Sequence, residues 1–249
     1  MLSHIDITRV LFFDIETVPA VENFYDLNND WKDLWADKAK NLLKKEKADL
    51  TPEEMVKVYE RAGIYSEFGK IICISVGYVK FDETTEKFTV KLKSYDGHDE
   101  VEILKSFGKA ISVFFEKKEN PFLYLSGHNI REFDVPYVSR RMVINQLELP
   151  QKFDIAGKKK SWDADYILDT LELWKFGDYK AYTSLKLLCG LFGIPSPKGD
   201  ISGEDVARVY YEEKSTERIA RYCEKDVFAV MELMLKFKLN DTKLEFPDK

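Results

Sequence analysis

The sequence predicts an α/β fold, a mixed five-stranded sheet flanked by helices, on three observations. The run Val10-Leu11-Phe12-Phe13 is apolar at every position, as a strand covered on both faces must be. A second apolar run, Ile71 to Tyr78, is followed by the alternating Phe88-Thr89-Val90-Lys91-Leu92, which reads as a meander ending in a half-exposed edge strand. From residue 100 onward, helical periodicity alternates with two short apolar runs, 122–125 and 166–168, and so sets helices against the sheet.

The elements follow in order. Residues 20–68 break the strand pattern with charged, Lys-rich and Glu-rich stretches carrying several Trp and Leu. Thr51-Pro52-Glu53-Glu54 is a helix start, with a hydroxyl cap, Pro at the first position and Glu at the third. This region reads as a helical insertion within a single domain spanning residues 1–249. A helix from about Glu100 to Lys117 puts Val101, Leu104, Phe107, Ile111 and Phe114 on one face. The last third is helical around Leu185–Leu191, Gly203–Tyr211 and Thr216–Lys238.

Composition narrows the function. A chain of 249 residues that is 45% hydrophobic and 33% charged can build a sizeable core and a solvated surface. A net charge of −6 and a pI near 5.3 weigh against a static nucleic-acid clamp but not against an enzyme that must release its substrate. Cys73, Cys189 and Cys223 are odd in number and lack zinc-ligand spacing, so they read as buried free thiols in a reducing compartment. No window approaches 18 apolar residues and no signal sequence is visible. The expectation is a cytoplasmic protein with no membrane partner.

Four acids in three separated segments carry the chemistry: Asp14 and Glu16, Asp134, and Asp226. Asp14 and Glu16 are two apart at a strand end, so their side chains share a face. Asp134 precedes Val135-Pro136-Tyr137, where it reads either as a helix N-cap or as a ligand. Tyr222 and Asp226 are four apart on one helix and share a face. An acid beside an apolar stripe needs a partner, either a metal or a neighbouring base such as Arg221 or Lys225. Four carboxylates in one half-buried cleft need counter-charge, and a pair of divalent cations is the simplest source.

In order, Asp14-Ile15-Glu16-Thr17, the Asn129 to Tyr137 segment and Tyr222-Cys223-Glu224-Lys225-Asp226 resemble the three motifs of the DEDD 3′–5′ exonucleases, in the branch with Tyr in the third motif. They are most similar to the proofreading domain of family-B DNA polymerases. Ser184-Leu185-Lys186-Leu187-Leu188 followed by Gly193-Ile194-Pro195 resembles stand-alone bacterial proteins of that type. The resemblance covers roughly residues 8–18 and 66–238. It implies a ribonuclease H-like sheet, two Mg²⁺ or Mn²⁺ ions held by Asp14, Glu16, Asp134 and Asp226, and Tyr222 orienting the attacking water. It further implies that Thr17, Asn129 and Phe133 meet the substrate, which would be single-stranded DNA or a frayed 3′ end, with RNA as an alternative. A catalytically idle binding domain on the same fold is the third reading, and the intact carboxylates argue against it.

Other segments stay open on sequence. His128 is a general-base candidate or a satisfied turn histidine. The Trp174 to Tyr182 stretch is a stacking platform for a single strand or a set of aromatics packed under the domain. Lys158-Lys159-Lys160 is a phosphate contact or a solvated loop.

Overall fold

The computed structural model describes residues 2–116, 119, 121–157, 164–178, 182–195 and 200–247. The first apolar run grows into strand β1 (Val10–Pro19). The segment after it folds into α1 (Asn29–Leu43) and α2 (Pro52–Tyr59), and the Thr51–Glu54 capping box forms as its sequence requires. This segment has its own small core of Phe24, Trp35, Tyr59 and Ala62. Strands β2 (Gly69–Asp82) and β3 (Lys87–Asp96) form the meander, and α3 (Glu100–Phe115) follows.

The second half supplies β4 (Tyr124–Gly127), α4 (Asp134–Ile144), β5 (Ile167–Asp169), α5 (Thr170–Lys175) and α6 (Leu185–Phe192). The predicted Gly203–Tyr211 helix is shorter and irregular. It forms as α7 (Val206–Arg208) running into a π-helical turn, Val209–Glu213. The long α8 (Thr216–Phe237) starts on a Ser215 cap. None of the described helices is long and apolar enough to cross a membrane.

The strands form one mixed sheet in the order β3-β2-β1-β4-β5. The β3-β2-β1 side is antiparallel, and β4 and β5 run parallel to β1. The alternation of β1 decides which helix covers which face. Leu11, Phe13 and Ile15 pack against Leu104, Phe107 and Ile111 of α3 and Val135 and Val138 of α4. Val10 and Phe12 pack against Val227, Val230, Met231 and Met234 of α8 on the opposite face. Helices on both faces explain why the run at 10–13 is apolar at every position.

Candidate active site

Asp14 and Glu16 continue the series Val10 and Phe12, so they point to the α8 face of the sheet. There the apolar cover gives way to acids, and it resumes at Val18 against Cys73, Ile219 and Cys223. The β1–β2 register shifts between Glu16 and Thr17. Such an irregularity turns the strand and re-aims the side chains beside it. The Cys223 thiol, kept protonated by burial, donates from 3.4 Å to both the backbone oxygen and Oδ2 of Asp14.

Asp134 begins α4 and is buried. It does not cap that helix. Its Oδ1 instead accepts from the backbone N–H of Ile15 at 3.1 Å, which fixes the middle acid to the strand between Asp14 and Glu16. The loop leading to it is held by a residue that sequence reasoning missed. Asp169, buried at the end of β5, accepts from the backbone N–H groups of Asn129, Arg131 and Leu171, each at 2.9 Å. The Asp-Thr pair before a helix is a readable cap, but its hold on the 129–131 loop depends on β4 and β5 lying side by side.

Tyr222 and Asp226, one turn apart on α8, line the same cavity as Asp14 of β1. The rotation of α8 is set by a buried polar chain. Ser75 Oγ lies 2.9 Å from Ser94 Oγ, and Ser94 donates to Glu224 Oε1 at 2.9 Å. Arg221 pairs with Glu224 rather than with Asp226, so the bases offered as alternative partners leave Asp226 to the acid cluster. None of the four acids forms an ion pair with Lys or Arg among the described residues.

The electrostatics follow from this crowding. Burial, then Asp134 and Asp226, push the Asp14 carboxyl well above the usual carboxylate range. Burial, then Asp14, Asp226 and Asp134, do the same to Glu16. Burial raises Asp134 to about 8 and Asp226 to about 6. Burial and the neighbouring Asp226, Glu16 and Asp14 also raise the Tyr222 hydroxyl, so it stays protonated at neutral pH.

Two cavities flank the acids and adjoin across Gly203 and Glu204, which line both. One, of about 650 Å³, contains Asp14, Tyr222, Asp226, His128, Tyr182 and Lys186. The other, of about 730 Å³, contains Glu16, Thr17, Phe133, Arg61 and Ile64. Asn129 lines neither; it sits in left-handed backbone, φ 66°, in the loop that Asp169 holds. His128 is satisfied at both nitrogens, Nδ1 by the Thr170 hydroxyl at 2.9 Å and Nε2 by the Thr183 carbonyl at 3.0 Å, and burial lowers its pKa. Trp174 packs against Phe192 and Phe237 in a three-ring cluster, whereas Phe176 is 75% and Tyr182 68% exposed. Tyr179 and Lys180 of the same stretch, and Lys158 to Lys160, lie outside the described residues.

The donor set fits hard divalent cations. Asp14, Glu16 and Cys223 each offer a ligand atom within 4.8 Å of the others, and carboxylate oxygens predominate once Asp226 and Asp134 are added. The protonated Cys223 already donates to Asp14, which leaves the carboxylate oxygens as the candidate donors.

No curated protein matches the chain. Among solved structures it is similar to the family B DNA polymerase from the hyperthermophilic archaeon Pyrobaculum calidifontis, with a TM-score of 0.56 and 15% identity. The likeness covers 92% of this chain and 24% of the polymerase, so the chain spans about a quarter of that protein's length. With the strand order, it establishes the ribonuclease H-like fold. A family described as "Predicted 3'-5' exonuclease related to the exonuclease domain of PolB" matches residues 64–248, most of the chain, and to that family this protein belongs.

Proposed function

We propose that this protein hydrolyses the last phosphodiester at the 3′ end of single-stranded or frayed DNA, releasing nucleoside 5′-monophosphates. One observation carries the reading: four carboxylates from β1, α4 and α8 converge, all are raised by burial, Asp14 and Glu16 also by their acidic neighbours, and none has a basic partner among the described residues. Such a cluster is costly for a binding module, because it repels phosphate.

Asp14, Glu16 and Asp226 are the proposed metal ligands, and Asp134 supports the set from its fixed place beside Ile15. Bound Mg²⁺ or Mn²⁺ would neutralise these acids, acidify water and stabilise charge on the attacking and leaving oxygens. The chain's own residues hold the geometry. Tyr222, protonated and lining the same cavity as Asp14 and Asp226, orients the attacking water as a hydrogen-bond donor or acceptor rather than as a base. Thr17 and Phe133, lining the cavity on the Glu16 side, meet the terminal nucleotide. A duplex end must fray, since the terminal nucleotide has to leave its stack to enter.

Product analysis tests the reading. A single-stranded oligonucleotide digested with the protein and Mn²⁺ should give nucleoside 5′-monophosphates. Nucleoside 3′-monophosphates, or internal fragments as first products, would contradict it.

A further inference from the structure

The 20–68 segment reaches the site. Its last turn, Ala62–Ile64, follows Arg61, and Arg61, Gly63 and Ile64 form one wall of the cavity that Glu16, Thr17 and Phe133 also line. Helix α4 holds that wall by two residues one turn apart. The Tyr137 hydroxyl donates to the Gly63 carbonyl at 2.7 Å. Arg141 donates to the Ser66 carbonyl at 2.9 Å while paired with Glu100 at 2.5 Å. The turn lies directly on β1: a Cβ at Gly63 would sit 2.9 Å from the Val18 carbonyl carbon. At Gly69 a Cβ would meet Tyr137 Oη at 2.3 Å and Gly63 O at 2.8 Å, so only glycine admits this clamp.

On this fixed backbone two side chains stand out. Ile64, a large apolar side chain lining the cavity, is 43% exposed. Arg61 is exposed, forms no ion pair among the described residues, and is the one cation lining that cavity. In a chain of net charge −6 with an acidic site, a local cation is what a phosphodiester strand needs beside the carboxylates. The cavity, about 730 Å³, falls within the roughly 300–1,000 Å³ of small-ligand sites.

We propose that Arg61 and Ile64 are substrate-contacting residues: Ile64 packs on the base of the 3′-terminal nucleotide, and Arg61 pairs with a backbone phosphate of the same strand. The inference rests on the exonuclease reading and gives the 20–68 segment a part in substrate grip. The contact is sequence-tolerant, because every base offers an apolar face and every linkage a phosphate.

The test compares wild type with Arg61→Ala, Arg61→Lys and Ile64→Ala, and with Lys45→Ala as a control in the same segment but outside the cavity. The probe is a single-stranded DNA with 2-aminopurine at its 3′ end and a terminal phosphorothioate, bound in Ca²⁺ to slow turnover. Binding is followed by anisotropy at several salt concentrations, and KM and kcat are measured on unmodified DNA in Mn²⁺. R61A should weaken binding roughly tenfold and reduce the slope of log K against log salt by about 0.7, the value of one single-strand phosphate contact. R61K should restore the slope. I64A should keep the slope, lose the change in 2-aminopurine fluorescence and lower kcat/KM several-fold. Wild-type slope in R61A and a wild-type fluorescence change in I64A, with the wild type active, would overturn the inference. A wild type that neither binds nor digests the DNA would overturn the exonuclease reading, and this inference with it.

Discussion

The Asp134 Oδ1 atom accepts a 3.1 Å hydrogen bond from the backbone N–H of Ile15, the residue between Asp14 and Glu16. The side chain that begins α4 is thereby tied to the strand carrying Asp14 and Glu16, and the middle motif is placed by the first. Asp134→Ala removes both a proposed ligand and the acceptor of a buried N–H, so it should cost about 1–3 kcal/mol of stability as well as activity. Asp134→Asn keeps an acceptor. It should retain near-wild-type stability in chemical denaturation while losing most nuclease activity. Equal destabilisation of the two variants would show that the Ile15 contact does not matter.

Asp14 offers the complementary test, because its charge is a liability without metal. Acids whose folded pKa is raised hold a proton in the folded state that the unfolded chain has released, so stability falls as pH rises. The window runs from the unfolded value near ~3.9 up through about 6 for Asp226 and about 8 for Asp134, with Asp14 and Glu16 also raised. In chelator, Asp14→Asn should therefore have a higher thermal midpoint than wild type, and the difference should grow from pH 5 to pH 8. Mn²⁺ should raise the wild-type midpoint more at pH 8 than at pH 5, and should raise that of the inactive variant less. A gap that shrinks with rising pH would contradict this electrostatic account.

Tyr222→Phe removes the hydroxyl one helical turn from Asp226 in the same cavity but no carboxylate. The rate should fall about 10²-fold, the lower end of the range for groups that manage a proton or its carrier. Asp226→Ala should fall further. Single-turnover rates on one oligonucleotide separate the two, and an unchanged Tyr222→Phe rate would remove the tyrosine from the mechanism.

Asp169 accepts from three backbone N–H groups around the loop that leads to Asp134. Asp169→Ala leaves them without that acceptor and should cost about 1–3 kcal/mol. It should also reduce activity although Asp169 lines neither cavity, through displacement of the Asn129–Asp134 loop. Amide hydrogen exchange should show faster exchange at Asn129 and Arg131 in the variant. Unchanged protection there would mean the loop is held by other contacts.

The sheet was legible because its strands differ in cover. The run at 10–13 is apolar on both faces since α3, α4 and α8 enclose it, and 88–92 alternates because β3 is an edge. The Thr51–Glu54 box announced α2 because capping is a local interaction. The 203–211 region was less readable, since its helical pattern does not record that the chain winds into a π turn before α8. The four acids and Tyr222 stood out as candidates by their order and spacing. What stayed hidden depends on tertiary neighbours. Asp169 reaches a loop about forty residues away, Cys223 sits behind Asp14, and Tyr137 of α4 clamps the 20–68 segment at Gly63. None of these pairings leaves a periodic trace in sequence.

The central claim is metal-dependent cleavage from the 3′ end, and one digestion series addresses it directly. Single-stranded DNA labelled at the 5′ end, and the same strand labelled at the 3′ end, are incubated with the protein in Mg²⁺, in Mn²⁺ and in chelator. The predicted result is immediate release of the 3′ label as a mononucleotide, a descending ladder from the 5′-labelled strand, and no reaction in chelator. Degradation that persists in chelator, or that releases the 5′ label first, would contradict it.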